Sequence, residues 1–350
     1  MNVPAEVAEL IIDRCQHVPT LSSCSLVCKA WHTRARFRLF SGPVKVVGVP
    51  DVEAFTATLQ HPLCTLYPYI HSLSIHQSSS NPSLLNHVIP VLVPLSDLTY
   101  FEIVAENALL SDDTQALFRA NFRSIRHLLL RMTFATCADA VNLVCSFPLL
   151  KSLRLHARWI GSSPPPASGL PVGLHTLDLD GFLDDALGWL LSCPTSPAVS
   201  SVQLRGIAER ELSIVFRYVK LVAATLTDLK LSFLDTRTEW IFLSFDFDPI
   251  HIPQLRSLEI TGRDRYDVAM VVHVLSRVHA SHLDEVSFTS LVSVNPGRVA
   301  WAQLEQRLAH VDSLRKVKIT TLPHLQPAIQ LNLPRLHELD ILEFVFPEGI

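Results

Sequence analysis

A six-residue pattern, apolar-x-x-apolar-x-apolar, recurs along nearly the whole chain and limits the folds that it can adopt. Its clearest copies are 150–155, 174–179 and 226–231. The copies begin at Val44, Ile70, Leu98, Ile125, Leu150, Leu174, Val199, Leu226, Leu255, Leu283, Leu314 and Leu336. Successive copies start 22 to 31 residues apart. Such a period predicts one small structural unit repeated in series.

The residues between the apolar positions test whether each copy is a strand. In a strand, the third, fifth and seventh residues of a copy face away from the apolar side. From Ile70 onward, only Tyr100, Val104, Leu129 and Leu342 are aliphatic or aromatic at these positions, although 48% of the chain is hydrophobic. Each copy therefore predicts a short strand with one apolar face and one polar face.

Segments with helical character lie between the predicted strands. The clearest are 51–60, 111–120, 138–146, 184–191, 209–222, 267–278 and 298–309. Asp51, Ser111 and Asp267 begin three of them, and these residue types are good N-caps. A strand, a turn and a helix within one period can stack on the next period, which gives a parallel sheet lined by helices.

The period and the pattern resemble those of leucine-rich repeats, which recur roughly every 20–29 residues. These repeats usually carry asparagine or cysteine eight residues after the first leucine, and most copies here have something else. The equivalents are Ser78, Glu106, Thr133, Arg158, Phe182, Ile207, Leu234 and Arg263. We therefore expect turns that differ from repeat to repeat. The predicted fold class is α/β: an irregular leucine-rich-repeat solenoid of about twelve repeats over residues 43–350, with parallel strands lined by helices.

The N-terminal segment, residues 1–42, follows a helical pattern and predicts a small all-helical module. Pro4 stands at a helix start, where its missing N–H costs nothing, and apolar residues at 7, 10, 11 and 12 form one helical face. A second segment begins at Pro19, and Gly42-Pro43 ends the helical pattern.

This segment resembles the F-box family. The F-box consensus begins Leu-Pro-x-Glu-Leu, continues with Ile-Leu and closes with Ser-Leu-Val-Cys-Lys/Arg-x-Trp. The chain has Val3-Pro4-Ala5-Glu6-Val7, then Ile11-Ile12, then Ser25-Leu26-Val27-Cys28-Lys29-Ala30-Trp31. Val3 and Cys15 replace common leucines but keep apolar character. The resemblance covers about residues 2–40, and an F-box followed by irregular leucine-rich repeats is similar to a large family of fungal F-box proteins.

The resemblance implies that a Skp-family adaptor, and through it a cullin, binds the helical module. The residues carried over as the adaptor-binding site are Pro4, Glu6, Ile11, Ile12, Leu26, Val27 and Trp31. Which of them face the adaptor and which face the core of the module is left open by the sequence. The alternative is a helical cap on the first repeat, because the ends of a solenoid need a polar outer cover.

The sequence offers no motif for catalysis, a cofactor or a metal. Cys24 and Cys28 are one helical turn apart, but no second Cys/His pair lies at finger spacing, so we predict that both pack in the core. His-Glu-x-x-His, a phosphate loop and Gly-x-Ser-x-Gly are all missing. We expect a protein that is not an enzyme and binds no cofactor or metal.

Charge and hydropathy restrict the partners and the location. A net charge of −4 gives no general attraction to nucleic acid, and no apolar run approaches the roughly 18–20 residues of a membrane helix. Seven scattered cysteines, an odd number, and the absence of a glycosylation acceptor or a secretory leader favour a reducing compartment. We expect neither a nucleic-acid nor a membrane partner, and a cytoplasmic or nuclear location, or both.

Charged residues fall in blocks on the predicted polar face of the sheet. His127, Arg131, Arg154 and His156 form a basic block on adjacent strands, and Asp178 and Asp180 follow on the next strand. One interpretation is a solvated face with mixed charge. The sharper hypothesis is that the basic block binds an acidic or phosphorylated segment of a substrate protein.

The F-box resemblance, joined to the predicted repeats, implies the substrate-recognition subunit of an SCF-type ubiquitin ligase, in which the F-box binds the Skp adaptor and the repeats bind an unknown target protein. Two alternatives stay open. One is an F-box protein with no role in ubiquitination, and the other is a non-catalytic repeat scaffold without a ligase link.

Overall fold

The computed structural model describes residues 4–77, 83–161, 169–194, 198–234, 248–262, 268–290 and 298–346. The chain divides into two compact units, Met1–Pro164 and Pro165–Ile350. Among the described residues, no helix combines the length and the apolar character needed to cross a bilayer.

The first unit begins with three helices and continues with alternating strands and helices. The N-terminal helices are α1 (Ala5–Arg14), α2 (Val18–Cys24) and α3 (Lys29–Leu39). The strands are β1 (Val44–Val47), β2 (Ser72–His76), β3 (Tyr100–Ala105), β4 (His127–Thr136) and β5 (Ser152–Gly161), and the helices between them are α4 (Gly48–Gln60), α5 (Leu84–Leu92), α6 (Asp112–Asn121) and α7 (Cys137–Cys145). Each strand pairs in parallel with the next one in the chain, and α4 to α7 contact their neighbours.

The second unit repeats this arrangement. Its strands are β6 (Thr176–Asp180), β7 (Ser201–Ile207), β8 (Asp228–Phe233), β9 (Ile250–His251), β10 (Ser257–Gly262), β11 (Val278–His279), β12 (Glu285–Ser290), β13 (Lys316–Thr321) and β14 (Leu342–Val345), and its helices are α8 (Leu183–Ser192), α9 (Leu212–Val222), α10 (Val268–Arg277), α11 (Arg298–Leu308), α12 (Gln326–Asn332) and α13 (Pro334–Glu338). Strands β6, β7, β8, β10, β12, β13 and β14 pair in parallel in that order. Strands β9 and β11 form a separate parallel pair.

The apolar pattern predicts the strands well in ten of the twelve copies. From the copy at Ile70 to the copy at Leu314, each strand begins two residues after the start of its copy. All three apolar positions of each of these copies are buried. The first of them, such as Leu150 or Leu226, enters the core just before the strand begins. The α/β class and the parallel strands lined by helices are therefore confirmed.

The predicted strand is wrong in register for the first copy, and for the last copy the structure has a helix instead of a strand. In β1 the buried residue is Val46, whereas Val47, an apolar position of the predicted copy, is exposed. Leu336 lies in α13 rather than in a strand, and the last strand begins at Leu342. Pro334 at the start of α13 favours a helix there, and Leu336 is buried either way, so the pattern could not distinguish the two structures.

All seven predicted helical segments contain a helix, and the segment 209–222 begins with a 3-10 turn, Glu209–Glu211. The Ser111 cap is confirmed because its Oγ accepts a hydrogen bond from the Thr114 N–H. The Asp51 cap is wrong, because α4 begins at Gly48 and places Asp51 in the first turn. Asp267 lies outside the described residues. Helices α5, α12 and α13 were not predicted, and α5 contains Pro90.

The turns differ between repeats, as the missing asparagine ladder predicts. Phe182 adopts a left-handed backbone conformation with φ 47°, and Gly206, with φ 66°, lies at a register shift between β7 and β8. A side chain at Gly206 would be strained by this φ, and its Cβ would lie 3.2 Å from Asp180 Oδ1. At the entrance of several strands, a hydroxyl donates instead to a carbonyl of the preceding repeat. Thr99 Oγ1 donates to His71 O at 3.1 Å, and Thr227 Oγ1 donates to Ser200 O at 2.9 Å.

Candidate partner-binding surfaces

The three N-terminal helices surround a small apolar core. Its buried residues are Ala8, Ile12, Leu21 and Ala35, and Cys15, Cys24, Trp31 and Leu39 pack against them. Arg34 on α3 bonds to Asp13 on α1, and Arg36 Nη1 donates to Thr65 Oγ1, which follows α4. The module is thus closed by its own core and is tied to the first repeat by a side-chain hydrogen bond.

Helix α1 carries apolar residues on two faces. Ala8 and Ile12, one helical turn apart, face the core. Val7, Leu10 and Ile11 also lie one turn apart but are 45%, 63% and 56% exposed. A helix that only capped a repeat would need one apolar face toward the core and a polar face toward solvent. The exposed apolar face of Val7, Leu10 and Ile11 therefore requires another explanation.

The turn between α2 and α3 presents two further apolar side chains to solvent. Leu26 is 85% exposed and Val27 is 62% exposed. Their backbone is nevertheless fixed, because Leu26 N–H donates to Ser23 O at 3.0 Å and Val27 N–H donates to Cys24 O at 3.2 Å. We call these two residues the Leu26–Val27 turn. Its side chains are held outward by an ordered main chain, which is the geometry of a contact surface.

The structure divides the residues carried over from the F-box resemblance into two groups. Pro4, Glu6, Ile11, Leu26 and Val27 are exposed and available to a partner. Ile12 is buried and Trp31 is half-buried against the core, which gives these two a structural role in the module. That the exposed group binds an adaptor stays a prediction.

The set carried over from the resemblance leaves out four exposed apolar residues of the module, Val7, Leu10, Val18 and Phe37. The sequence placed residues 7, 10, 11 and 12 on one helical face, which is wrong for Ile12, because Ile12 is buried while the other three are exposed. The prediction that Cys24 packs against the core is confirmed, but Cys28 is exposed. Cys28 is the extended N-cap residue of α3, directly after the Leu26–Val27 turn, and this position points away from the core.

The polar face of the first unit holds an acidic network on β2 and β3. Glu102 accepts hydrogen bonds from the hydroxyls of Ser74 and Tyr100, and His76 Nε2 lies 3.3 Å from its carboxylate. Burial alone would raise the pKa of Glu102, but the hydrogen bonds from Ser74 and Tyr100 and the nearby His76 hold it below the usual value. This carboxylate is therefore a fixed negative charge.

The basic block lies beside this network on β4 and β5. Arg131 and His156 are register partners, and Arg154 is the register partner of Leu129. His127, Arg131 and Arg154 are exposed, and His156 is half-buried. Arg131 forms an ion pair of 2.5 Å with Glu106, so a carboxylate of the chain itself already binds there. The predicted adjacency of the four residues is confirmed.

In the second unit, one of the two predicted acidic residues, Asp178, serves the fold. Asp178 is buried, and its carboxylate accepts a 3.0 Å hydrogen bond from Arg205 on the neighbouring strand. Asp178 is therefore an internal ion-pair partner rather than a contact residue, while Asp180 is half-buried. Farther along, Lys230 pairs with Glu259 at 2.5 Å and Lys316 pairs with Glu343. These cross-strand pairs neutralise much of the charge that the sequence places on this face.

Comparisons with known proteins add one observation about the fold. No protein-family model matches the chain, and no curated protein matches it. Among solved structures, it is similar to the leucine-rich repeat-containing protein LegL7 from Legionella pneumophila, at 13% identity and a TM-score of 0.42. The match covers 84% of this chain and 98% of that chain.

Proposed function

We propose that this chain is the substrate-recognition subunit of a Skp–cullin–F-box ubiquitin ligase. The observation that carries the proposal is the exposure of Leu26 and Val27, at 85% and 62%, on a hydrogen-bonded turn. These two residues belong to the string Ser25 to Trp31, in which the sequence resembles the F-box. A Skp-family adaptor that covers this turn explains both the exposure and the string.

The physical argument rests on apolar area. Full burial of a valine, leucine or isoleucine side chain contributes about 1.5–3 kcal/mol. The module exposes Leu26 and Val27, and Val7, Leu10 and Ile11 on α1. A partner that covers most of them gains several times that amount, before the cost of association is subtracted. Such a set in a module of about forty residues is the composition of a protein interface.

In this proposal the chain acts by proximity and performs no chemistry itself. The module attaches it to the adaptor and, through the adaptor, to a cullin. The repeats hold a target protein near a ubiquitin-conjugating enzyme and raise the effective concentration of the target there. The parallel strands support this role, because their polar face presents side chains from successive repeats on one surface.

The adaptor contact is tested by a pull-down of the purified Skp-family adaptor with the full chain. Val27→Asp places a charge in the expected interface without touching the core, so binding should be lost. Val172→Asp is the matched control, because Val172 is 97% exposed and lies in the second unit. Trp31→Ala removes a core contact and reports on unfolding of the module. Undiminished binding by Val27→Asp contradicts the proposal.

For the target, we propose that the basic block binds an acidic or phosphorylated segment. Its support is the juxtaposition of Arg131, Arg154 and His156 on two adjacent strands, with Arg131 and Arg154 exposed. Arg131 already pairs with the carboxylate of Glu106, and a phosphate, with greater charge, would compete for it.

The target site is tested with proteins that co-purify with the chain. The double charge reversal Arg131→Glu with Arg154→Glu should abolish capture of an acidic partner. Arg123→Glu with Lys151→Glu is the control, since both residues are exposed in the same unit but precede the strands. If every partner is retained by the first variant, the block is solvated surface only.

A ubiquitination assay separates the ligase from the remaining alternatives. The adaptor, a cullin and the full chain are combined with a captured target, and ubiquitin transfer to that target is measured. Transfer that requires the chain and is lost with Val27→Asp supports the proposal. Adaptor binding without transfer identifies an F-box protein with another role, and no adaptor binding identifies a repeat scaffold.

A further inference from the structure

A cavity of about 960 Å³ lies in the second unit, between the ends of α10 and α11 and the small sheet β9–β11. This volume is within the range of about 300–1,000 Å³ that is typical of small-molecule sites. Its apolar lining comes from Val272, Leu275, Val278, Leu283, Leu308 and Val311. The cavity is lined by residues of the second unit, and no function above uses it.

The ionisable residues that line this cavity are all basic, and Ser276, Ser281, Gln303 and Gln306 complete its polar lining. It contains His251, His273, His279 and His310 together with Arg307. Among the described residues that line the cavity, none is an aspartate or a glutamate. A lining of histidines and an arginine beside apolar side chains favours an anionic group attached to an apolar body.

Two of the histidines are held side by side. His251 on β9 and His279 on β11 are register partners, and Ile252 N–H donates to His279 O at 2.9 Å. Both side chains are exposed. Two imidazole rings on neighbouring strands can donate hydrogen bonds to the same anion.

At the end of α11, four successive carbonyls accept hydrogen bonds from the residues that follow. The carbonyls of Glu305, Gln306, Arg307 and Leu308 accept, in that order, from Ala309 N, His310 Nδ1, His310 N and Val311 N. Because a carbonyl only accepts, His310 Nδ1 donates the hydrogen bond to Gln306 O. The guanidinium of Arg307 is charged at every relevant pH.

We infer that this cavity binds a small amphipathic anion, with a sulfonate, phosphate or carboxylate group near Arg307 and the histidines and an apolar body against the valines and leucines. The inference is independent of the proposed ligase function, because the module takes no part in it.

The experiment uses two fluorescent probes on the full chain. Anilinonaphthalene sulfonate carries an anionic group, and phenylnaphthylamine has the same rings without it. We expect the sulfonate probe to bind more tightly than the neutral probe. Arg307→Gln with His310→Gln should lower the affinity for the sulfonate probe by about tenfold or more, since each charge-assisted hydrogen bond contributes about that factor.

Matched variants keep the result interpretable. Arg335→Gln with His337→Gln removes the same two residue types from the exposed surface of α13 and should leave sulfonate binding unchanged. His279→Gln tests the paired histidines and should weaken binding of the sulfonate probe. The inference is overturned if the two probes bind equally, or if the Arg307 and His310 variant binds the sulfonate probe as tightly as the wild type. Both substituted side chains are exposed, so the fold is retained.

Discussion

Arg34 on α3 donates two hydrogen bonds to the carboxylate of Asp13 on α1, and the one from Nε to Oδ1 measures 2.7 Å. The hydrogen bond from Arg34 is the main cause that holds the pKa of Asp13 below its usual value. The pair joins the first and third helices beside the core of Ile12, Leu21 and Ala35. It therefore fixes the frame on which the Leu26–Val27 turn is displayed.

This pair predicts an acid-sensitive coupling between α1 and α3. Because the folded-state pKa of Asp13 is lowered, the stabilisation is fully present above about pH 4, the usual pKa of aspartate, and is lost as the pH falls through the lower folded-state pKa. A double-mutant cycle of Asp13→Asn and Arg34→Gln, measured by hydrogen exchange of α1, should show coupling at pH 7 and less at pH 3. Equal coupling at both pH values contradicts the assignment.

Two adjacent isoleucines of α1 should behave in opposite ways. Ile12 is 1% exposed and Ile11 is 56% exposed. Ile12→Ala should destabilise the module by about 3 kcal/mol, because it opens a cavity in a small core. Ile11→Ala should leave the stability of the module nearly unchanged and weaken binding of the proposed adaptor. Thermal denaturation and the adaptor pull-down measure the two effects, and a similar loss of stability in both variants would show that the two faces are not distinct.

Tyr218 should gain stability when its hydroxyl is removed. Its side chain is buried, burial raises the pKa of Tyr218 well above the usual value, and its hydroxyl has no hydrogen-bond partner among the described residues. Tyr218→Phe should therefore stabilise the second unit by about 1 kcal/mol. Tyr100→Phe is the control, since it loses a 3.0 Å hydrogen bond to Glu102 and should destabilise by about 1 kcal/mol. Urea denaturation distinguishes the two signs.

Glu211 should be one of the least replaceable polar residues of the second unit. Its buried carboxylate accepts from Leu183 N–H at 3.0 Å and from Ala208 N–H at 2.9 Å, so it joins the start of α8 to the following repeat. Glu211→Ala leaves both N–H groups unpaired and should cost about 3 kcal/mol. Glu211→Gln keeps one acceptor oxygen and should cost less. Equal unfolding free energies for Glu211→Ala and Glu211→Gln would mean that the oxygen kept by glutamine contributes nothing, which contradicts the role given to the carboxylate.

The strands were predictable because burial and period agree. Leu150, Leu153 and Leu155 are typical: all three are buried, and the polar residues between them alternate with them. The pattern failed at Leu336, where a buried residue in a short helix has the same apolar signature as one in a strand. It also failed to predict α5, because Pro90 inside that helix reads as a break.

The candidate surfaces were predictable in composition but not in orientation. The F-box resemblance selected Ile11 and Ile12 together, and only the three-dimensional packing of α1 against α3 separates the exposed residue from the buried one. The basic block followed from strand register, which the repeat spacing fixes. The burial of Asp178 did not follow, because it depends on Arg205, which lies on the next strand and approaches from a neighbouring repeat. The cavity beside the β9–β11 sheet was not predicted, because its lining residues are spread between His251 and Val311 and form no local motif.

The ordered Leu26–Val27 turn also governs how the chain behaves when it is alone. Two large apolar side chains on a fixed main chain cannot be buried by a local rearrangement. In unbound molecules they are therefore exposed to other copies of the chain and to the chaperones and proteases of the cell. If the proposed adaptor covers this turn, we expect the steady-state amount of the chain to follow the supply of the adaptor, with surplus copies aggregating or being degraded.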